Sequence, residues 1–311
     1  MKQPNILVVG SMNMDLNIYG VLKISQFGES VGCNSYAYTT GGKGANQAYA
    51  AALQGAVVTM VGRVGNDPNG KALITELEKV GINTEYIVSD QDYQTGLATI
   101  MVDERGQYFS YVTLGANNKL SPEDVEKALS ENSFDMVLMQ LEMPLETVYR
   151  TFELARERNI PVFLDAGPAM DIPLDRLKGI NIISPNEAET EALTGITVES
   201  EKEALEAAKQ LYERANPEYV VLKMGSRGAY VYDGMVGKMY PAYQVNAVDS
   251  TGAGDTFNAS LVNKLCLGYS LDDAIQCAAA AAAICVSRKG AQVSIPSESE
   301  VQQFLKKQLI I

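Results

Sequence analysis

Ser121-Pro122-Glu123-Asp124 opens the most regular part of the chain. Serine at an N-cap, proline at the first helical position and acids in the first turn are start signals for a helix, and the apolar run Met136 to Leu141 that follows reads as a strand. The alternation then repeats: Leu145 to Arg158 is helical, Val162 to Asp165 and Ile182 to Ser184 are strands, Glu201 to Arg214 is helical, and Tyr219 to Lys223 is a strand. Strands that are apolar almost throughout and separated by helices belong to a parallel sheet buried on both faces. Toward the N-terminus, Asn5 to Val9 reads as a buried strand ending at Gly10, and Lys43 to Leu53 as a helix stopped at Gly55. Val57 to Val64 follows as a strand, and Ala72 to Val80 as a helix ending at Gly81. The expected fold is α/β: a largely parallel central sheet flanked by helices, in a single domain over residues 1–311, because no repeat or linker divides the chain.

Some segments break the alternation. Gly96 to Asp103 and Gln107 to Val112, separated by Glu104-Arg105-Gly106, predict a β-hairpin with no helix between its strands. Met12 to Ile18 alternates, setting Asn13, Asp15 and Asn17 opposite Met14, Leu16 and Ile18, so one side is polar enough to hold a polyol. With Cys33 to Thr40, these segments predict a small β-sheet lid from approximately residues 12–40 and 96–112. A small sheet has edges needing cover, and Met12, Met14, Leu16 and Tyr36 offer apolar area, which predicts a homodimer through the lid strands.

Composition narrows the function. The chain has 311 residues, 46% of them hydrophobic and 20% charged, as expected of an ordered globular protein. A formal charge of −13 with no cluster of Lys and Arg argues against nucleic acid as a partner. The longest apolar run, Cys277 to Val286, falls well short of the ~20 residues that span a bilayer. Met1-Lys2-Gln3-Pro4 leads into a strand pattern and not a signal peptide, so no membrane association and a cytoplasmic location are expected. Cys33, Cys266, Cys277 and Cys285 lack paired spacing and read as buried reduced thiols. Histidine is absent, so any general base must be a carboxylate, Lys, Tyr or Cys.

Asp249-Ser250-Thr251-Gly252-Ala253-Gly254-Asp255-Thr256-Phe257 precedes the helical pattern Asn258 to Leu267. Small residues at a helix N-terminus let backbone N–H groups turn inward as a nest for phosphate oxygens. Asp255 beside such a nest either serves a nucleophile's proton or caps the helix. Gly41-Gly42-Lys43-Gly44-Ala45-Asn46-Gln47-Ala48 also opens a helix, with the Asn46 amide available to a polar ligand or the glycines simply allowing close packing. Gln47 stands where a dinucleotide-binding fingerprint needs glycine, which disfavours a nicotinamide enzyme. Gly65 to Ala72 comes near a phosphate-binding loop, but Ala72 lacks the required hydroxyl and the segment reads as a turn. Asn186 and Glu189 form N-x-x-E, either a capping box or a pair that orders water around magnesium.

GGKGANQA, SPNEAE and DSTGAGDTF, in this order and spacing, resemble the ribokinase-like sugar kinases, and the resemblance runs from GSMNMD near the start to RKGAQ near the end. It implies ATP-dependent phosphoryl transfer to a small sugar. Asp255 would be the base, and the amides of Gly252, Ala253, Gly254 and Asp255 the anion hole. Asn13, Asp15, Gly42, Lys43, Asn46 and Glu142 match sugar-binding positions. Asn186, Lys223, Gly225, Gly228 and Gly254 match nucleotide-binding ones, with Glu189 ordering Mg2+ through water. Asp249, Thr251, Cys285, Arg288, Gly290 and Ser294 match a K+ site. Two departures stand out. Asp165-Ala166-Gly167-Pro168-Ala169 replaces an Asn-Pro-Ala-Pro-Ala form, and Ala278 to Ala283 lack the larger polar residue found near adenine in several relatives. A kinase for deoxyribose, a ketohexose or a nucleoside, and a non-catalytic sugar or nucleotide sensor, are the competing expectations.

Overall fold

Ile6, Leu7, Val8 and Val9 are all fully buried, as a strand covered on both faces requires. They form the middle of a sheet in a computed structural model that describes residues 3–21, 23, 25–103 and 108–308. In chain order the first half contains β1 (Asn5–Val9), β2 (Asn13–Tyr19), β3 (Ser35–Gly41), α1 (Lys43–Leu53), β4 (Val57–Gly65), α2 (Pro68–Lys79), β5 (Asn83–Asp90), β6 (Gly96–Val102), β7 (Tyr108–Thr113), α3 (Pro122–Glu131), β8 (Met136–Met139) and α4 (Leu145–Glu157). The second half contains β9 (Val162–Asp165), β10 (Ile182–Ser184), α5 (Glu187–Thr194), α6 (Glu201–Ala215), β11 (Tyr219–Lys223), β12 (Ala229–Tyr232), β13 (Gly237–Tyr240), α7 (Ala253–Cys266), α8 (Leu271–Val286) and α9 (Glu298–Gln308).

The large sheet runs β13-β12-β11-β10-β9-β8-β1-β4-β5. It is parallel from β11 to β5, with β12 and β13 added antiparallel at one edge. Alternate side chains go to opposite faces. Leu7, Val9, Val137, Met139 and Leu164 pack in one core with α3, α4 and α6, and Ile6, Val8, Leu138 and Phe163 in another with α1, α7 and α8. The expected α/β architecture is present.

The small sheet is also present, in the order β3-β2-β6-β7. Its β2–β3 and β6–β7 pairs are antiparallel, whereas β2 and β6 run parallel. Glu104-Arg105-Gly106 and Met1-Lys2 lie outside the described residues. Met12 and Met14, expected on an outer apolar face, are instead buried in the core with α1 and α2, while Tyr36, Tyr38 and Tyr111 are exposed.

Other expectations need correction. The helix assigned from Ala72 starts at Pro68, because Asp67 caps it by accepting the Gly70 N–H at 2.9 Å; the segment read as a turn is a helix start. The helix assigned from Asn258 starts at Ala253. Among the described residues no cysteine is in a disulfide; Cys277 and Cys285 are buried as expected, but Cys33 is exposed and Cys266 half-buried. No helix among the described residues is long and apolar enough to cross a membrane.

Candidate active site

The strand order reverses at β1 and β8, since β4 and β5 lie to one side and β9 to β11 to the other. In open α/β sheets ligands bind outside the carboxyl ends of strands at such a switch point. Here those ends deliver Ser11 after β1, Glu142 after β8, Asp165 at the end of β9, Asn186 after β10 and Lys223 at the end of β11. The N-termini of α1 and α7 face the same crevice through Lys43, Asn46, Gln47 and Asp255.

Gly252 is the N-cap of α7 at φ 77°, a left-handed conformation that glycine adopts without strain. Asp255 therefore stands three residues into the helix and does not cap it. Its carboxylate turns across to α1, where Oδ2 accepts from Asn46 Nδ2 at 3.0 Å and Oδ1 from Gln47 Nε2 at 2.9 Å. Burial pushes its carboxyl up to about 6; Lys43 opposes the rise and Asp165 adds to it. A buried carboxylate that titrates near neutrality suits a proton acceptor. The first amides of a helix have no intrahelical partner. Of these, the Ala253 N–H donates outside the helix, to Ser250 O at 3.2 Å.

On the small-sheet side, Glu142 Oε2 gathers Ser11 Oγ at 2.5 Å, Asn13 Nδ2 at 3.4 Å and the Lys43 backbone N–H at 3.4 Å. Asn13 Oδ1 is held by Asn117 Nδ2 at 2.8 Å. Gly42 sits at φ 92°, and a Cβ there would come within 2.7 Å of the Asn13 nitrogen, so only glycine lets α1 start so close to β2. Asp15 is buried, and no group among the described residues donates to its carboxylate. Burial, then Glu142, then Asp255 push it up to about 7.

Toward β11 the charges are paired. Asp165 is fully buried and binds Lys223 Nζ at 2.6 Å and Lys43 Nζ at 3.1 Å. Burial works against its ionisation, but the two ammonium groups outweigh that and hold it well below the usual carboxylate range. Glu189 lies 3.6 Å from Lys43 Nζ and 4.0 Å from Lys223 Nζ. The Lys43 ammonium, expected on a sugar, thus turns to these carboxylates, and only its backbone N–H faces Glu142. Asn186 and Glu189 form the capping box of α5: Glu189 N donates to Asn186 Oδ1 at 2.9 Å and Asn186 N to Glu189 Oε2 at 2.7 Å. Oε1 of Glu189 is left facing Lys43. Beside this cluster is a cavity of about 320 Å³. Its lining includes Lys223, Gly225, Gly228 and Gly254 together with Tyr243, Ala279, Ala282 and Ala283. A Cβ on Gly254 would meet nothing nearer than Lys223 at 3.8 Å, so this glycine leaves the helix start open to a ligand.

Behind the helix start, Asp249 Oδ1 accepts from Thr251 N at 2.9 Å and Thr251 Oγ1 at 2.7 Å, and Oδ2 accepts from Gly290 N at 2.9 Å. Cys285 Sγ lies 3.7 Å from Thr251 O and 3.0 Å from Ser294 Oγ. All six residues expected around a cation are therefore linked by contacts, Arg288 through its backbone alone. The Arg288 side chain turns away to Glu300 at 2.6 Å, while the Arg288 backbone N–H donates to Cys285 O at 3.0 Å. No group of three or more His, Cys, Asp or Glu among the described residues could ligate a metal, so an ion here would rest on backbone oxygens and one carboxylate.

Sequence reading missed Ser11, Gln47, Asn117 and Gln140 as parts of the site. Gln47 stood within a quoted motif, and Ser11 beside Asn13.

Residues 3–298 match the sequence profile described as pfkB family carbohydrate kinase. The chain is 37% identical over 300 residues to the bifunctional ribokinase/ribose-5-phosphate isomerase A of Fructilactobacillus sanfranciscensis, covering 95% of this chain but spanning only 55% of that protein. It is 36% identical to the ribokinase of Haemophilus influenzae, over 97% of this chain and 98% of that one. The solved structure of Arabidopsis thaliana ribokinase complexed with ribose and ATP superposes with a TM-score of 0.90 at 32% identity, covering 98% of this chain and 99% of that chain.

Proposed function

Because this chain belongs to the pfkB family of carbohydrate kinases, we propose that it transfers the terminal phosphoryl group of ATP to D-ribose, giving ribose 5-phosphate and ADP. The observation that carries this reading is Asp255: a buried carboxylate at the start of α7 that is held by Asn46, acts on Asp15 and follows Gly254, which lines the cavity beside Lys223. The likeness to proteins named ribokinase supports the choice of sugar.

In this reading Asn13, Asp15, Asn46, Glu142 and the Gly42–Lys43 backbone hold the sugar hydroxyls. Asp255 accepts the proton of the attacking hydroxyl as the new P–O bond forms and the bond to the ADP oxygen breaks. The amides of Gly252, Gly254 and Asp255 receive the charge of the transferring group. Lys223, Gly225, Gly228 and Asn186 border the nucleotide. Magnesium carried with ATP would neutralise phosphate charge. Glu189 Oε1 would hold one of its waters, because a carboxylate beside two ammonium groups suits an outer position better than direct ligation. Asp249 and the backbone oxygens of Thr251, Cys285, Arg288, Gly290 and Ser294 would hold potassium, which would supply a fixed positive charge to the segment that carries the anion hole. The small sheet would act as the lid of a single folding unit, and its exposed Tyr36, Tyr38 and Tyr111 as the contact face of a homodimer. The same reading has the enzyme work in the cytoplasm.

A coupled assay for ADP formation across pentoses, hexoses and nucleosides tests the proposal. Ribose should give the highest kcat/KM. Preference for deoxyribose, a ketohexose or a nucleoside would reassign the substrate, and sugar binding without ADP formation would make the protein a sensor.

A further inference from the structure

Gln47 has no part in the chemistry described so far, yet it is fully buried and its amide touches both carboxylates at the centre of the site. Nε2 donates to Asp255 Oδ1 at 2.9 Å and to Asp165 Oδ2 at 2.8 Å, while Oε1 accepts from Gln140 Nε2 at 2.7 Å. An amide nitrogen carries two hydrogens, so each carboxylate receives one, and the Gln140 donor fixes which end of the Gln47 amide faces them. Asp165 is anchored by Lys223 on Oδ1 and by Lys43 on Oδ2, the oxygen that also accepts from Gln47. We propose that Gln47 is a positioning residue for the base: one of its hydrogens fixes Asp255, and the other ties Asp255 to the charge of Asp165. This inference rests on the reading of Asp255 as the base.

A purely space-filling role would not need this arrangement. Bringing two buried carboxylates to one donor is unfavourable between like charges, and an apolar side chain would fill the same volume without doing so. The groups that face Asp255 come from several elements. Lys43 comes from α1, Asp165 from the end of β9, Asp15 from β2 and the Cys285 thiol from α8. Lys223 lies beside Asp165 and Gly254, and Glu142 and Glu189 act on Lys43. Within this set Gln47 stabilises the ionised form of Asp255 and Asp165 opposes it.

Two substitutions therefore act with opposite signs. Gln47→Met keeps the volume and removes a hydrogen bond to the ionised base, so the acid limb of kcat moves to higher pH. Asp165→Asn removes a like charge and leaves the two ammonium groups without that counter-ion, so the limb moves to lower pH. Shifts of about half a unit or more are expected in each direction. A fall in kcat of roughly tenfold to a hundredfold should accompany them, with little change in sugar KM. A merely structural role would slow both variants without separating their limbs. The 13C-carboxyl titration of Asp255 in the sugar-free, nucleotide-free protein should show the same opposite shifts. If Gln47→Met does not fold, Gln140→Met, which frees the Gln47 amide to turn, takes its place with the same expected sign. Limbs and carboxyl titrations that stay put or move together overturn the inference. A wild type without sugar-dependent turnover overturns the kinase reading instead, and the carboxyl titrations then still decide the role of Gln47.

Discussion

Asp15 and Asp165 are both buried aspartates of one crevice, and their surroundings drive them in opposite directions. Asp165 sits between two ammonium groups and an amide and stays ionised despite its burial. Asp15 has no cation beside it among the described residues, and burial, then Glu142, then Asp255 push it up to about 7. The Asp165 end is thus neutralised in advance, with Lys223 set on the cavity. The Asp15 carboxylate receives no donor from the described residues, and a ligand rich in hydroxyl donors would satisfy it. A site with acceptors waiting at one end and paired cations at the other suits a polyol meeting a polyphosphate.

The largest expected effect falls on the carboxylate between these two ends. Asp255→Asn should lower kcat by about 10² to 10⁴-fold while calorimetry finds sugar binding largely intact. Turnover close to wild type would leave Asp255 with only a structural role. Next, Asp15→Asn should raise sugar KM by roughly ten- to a hundredfold, the scale of one hydrogen bond to a charged group, and change kcat less. A loss confined to kcat would erase the distinction between a binding end and a reacting end.

The pH dependence sharpens the same contrast. Asp255 must be ionised to accept a proton, so kcat should rise as pH passes through about 6. Asp15 is a full acceptor only when ionised, so sugar KM should fall as pH passes through about 7. For stability the sign is reversed. A carboxyl whose pKa is raised by folding stabilises the protein in acid, and that contribution is lost as pH rises from the ordinary carboxylate range to about 7. Sugar should accordingly raise Tm more at pH 8 than at pH 6, and an equal rise at both would remove Asp15 from sugar binding.

The smallest effect concerns the cation. Exchanging sodium for potassium at constant ionic strength should raise turnover several-fold, and Asp249→Ala should abolish that response with Asp255 untouched. Equal rates in potassium, sodium and a bulky organic cation would contradict the ion site.

Much of the large sheet was legible because its strands are buried on both faces; Val162–Asp165 and Tyr219–Lys223 appear at the bounds their apolar runs suggest. The start of α2 was hidden because Asp67-Pro68 signals a turn as readily as a cap, and only the Asp67–Gly70 bond decides between them. Strand β5, Asn83–Asp90, carries too many polar residues for an apolar run because it closes the sheet edge. In the site, the glycine-rich segments announced Asp255 and Asn46 through their own composition. Gln47 was opaque for a different reason: its partners Gln140, Asp165 and Asp255 lie 93, 118 and 208 residues away, and only the fold brings them together. Met12 and Met14 misled because alternation in β2 shows that its two sides differ without showing which structure covers the apolar one.

The most direct test of the central claim follows the product. In 31P NMR of the protein with ribose, ATP, magnesium and potassium, a single new phosphomonoester resonance coupled to the two C5 protons of ribose should grow in step with ADP. ADP formation independent of ribose, or no new phosphomonoester at all, would contradict it.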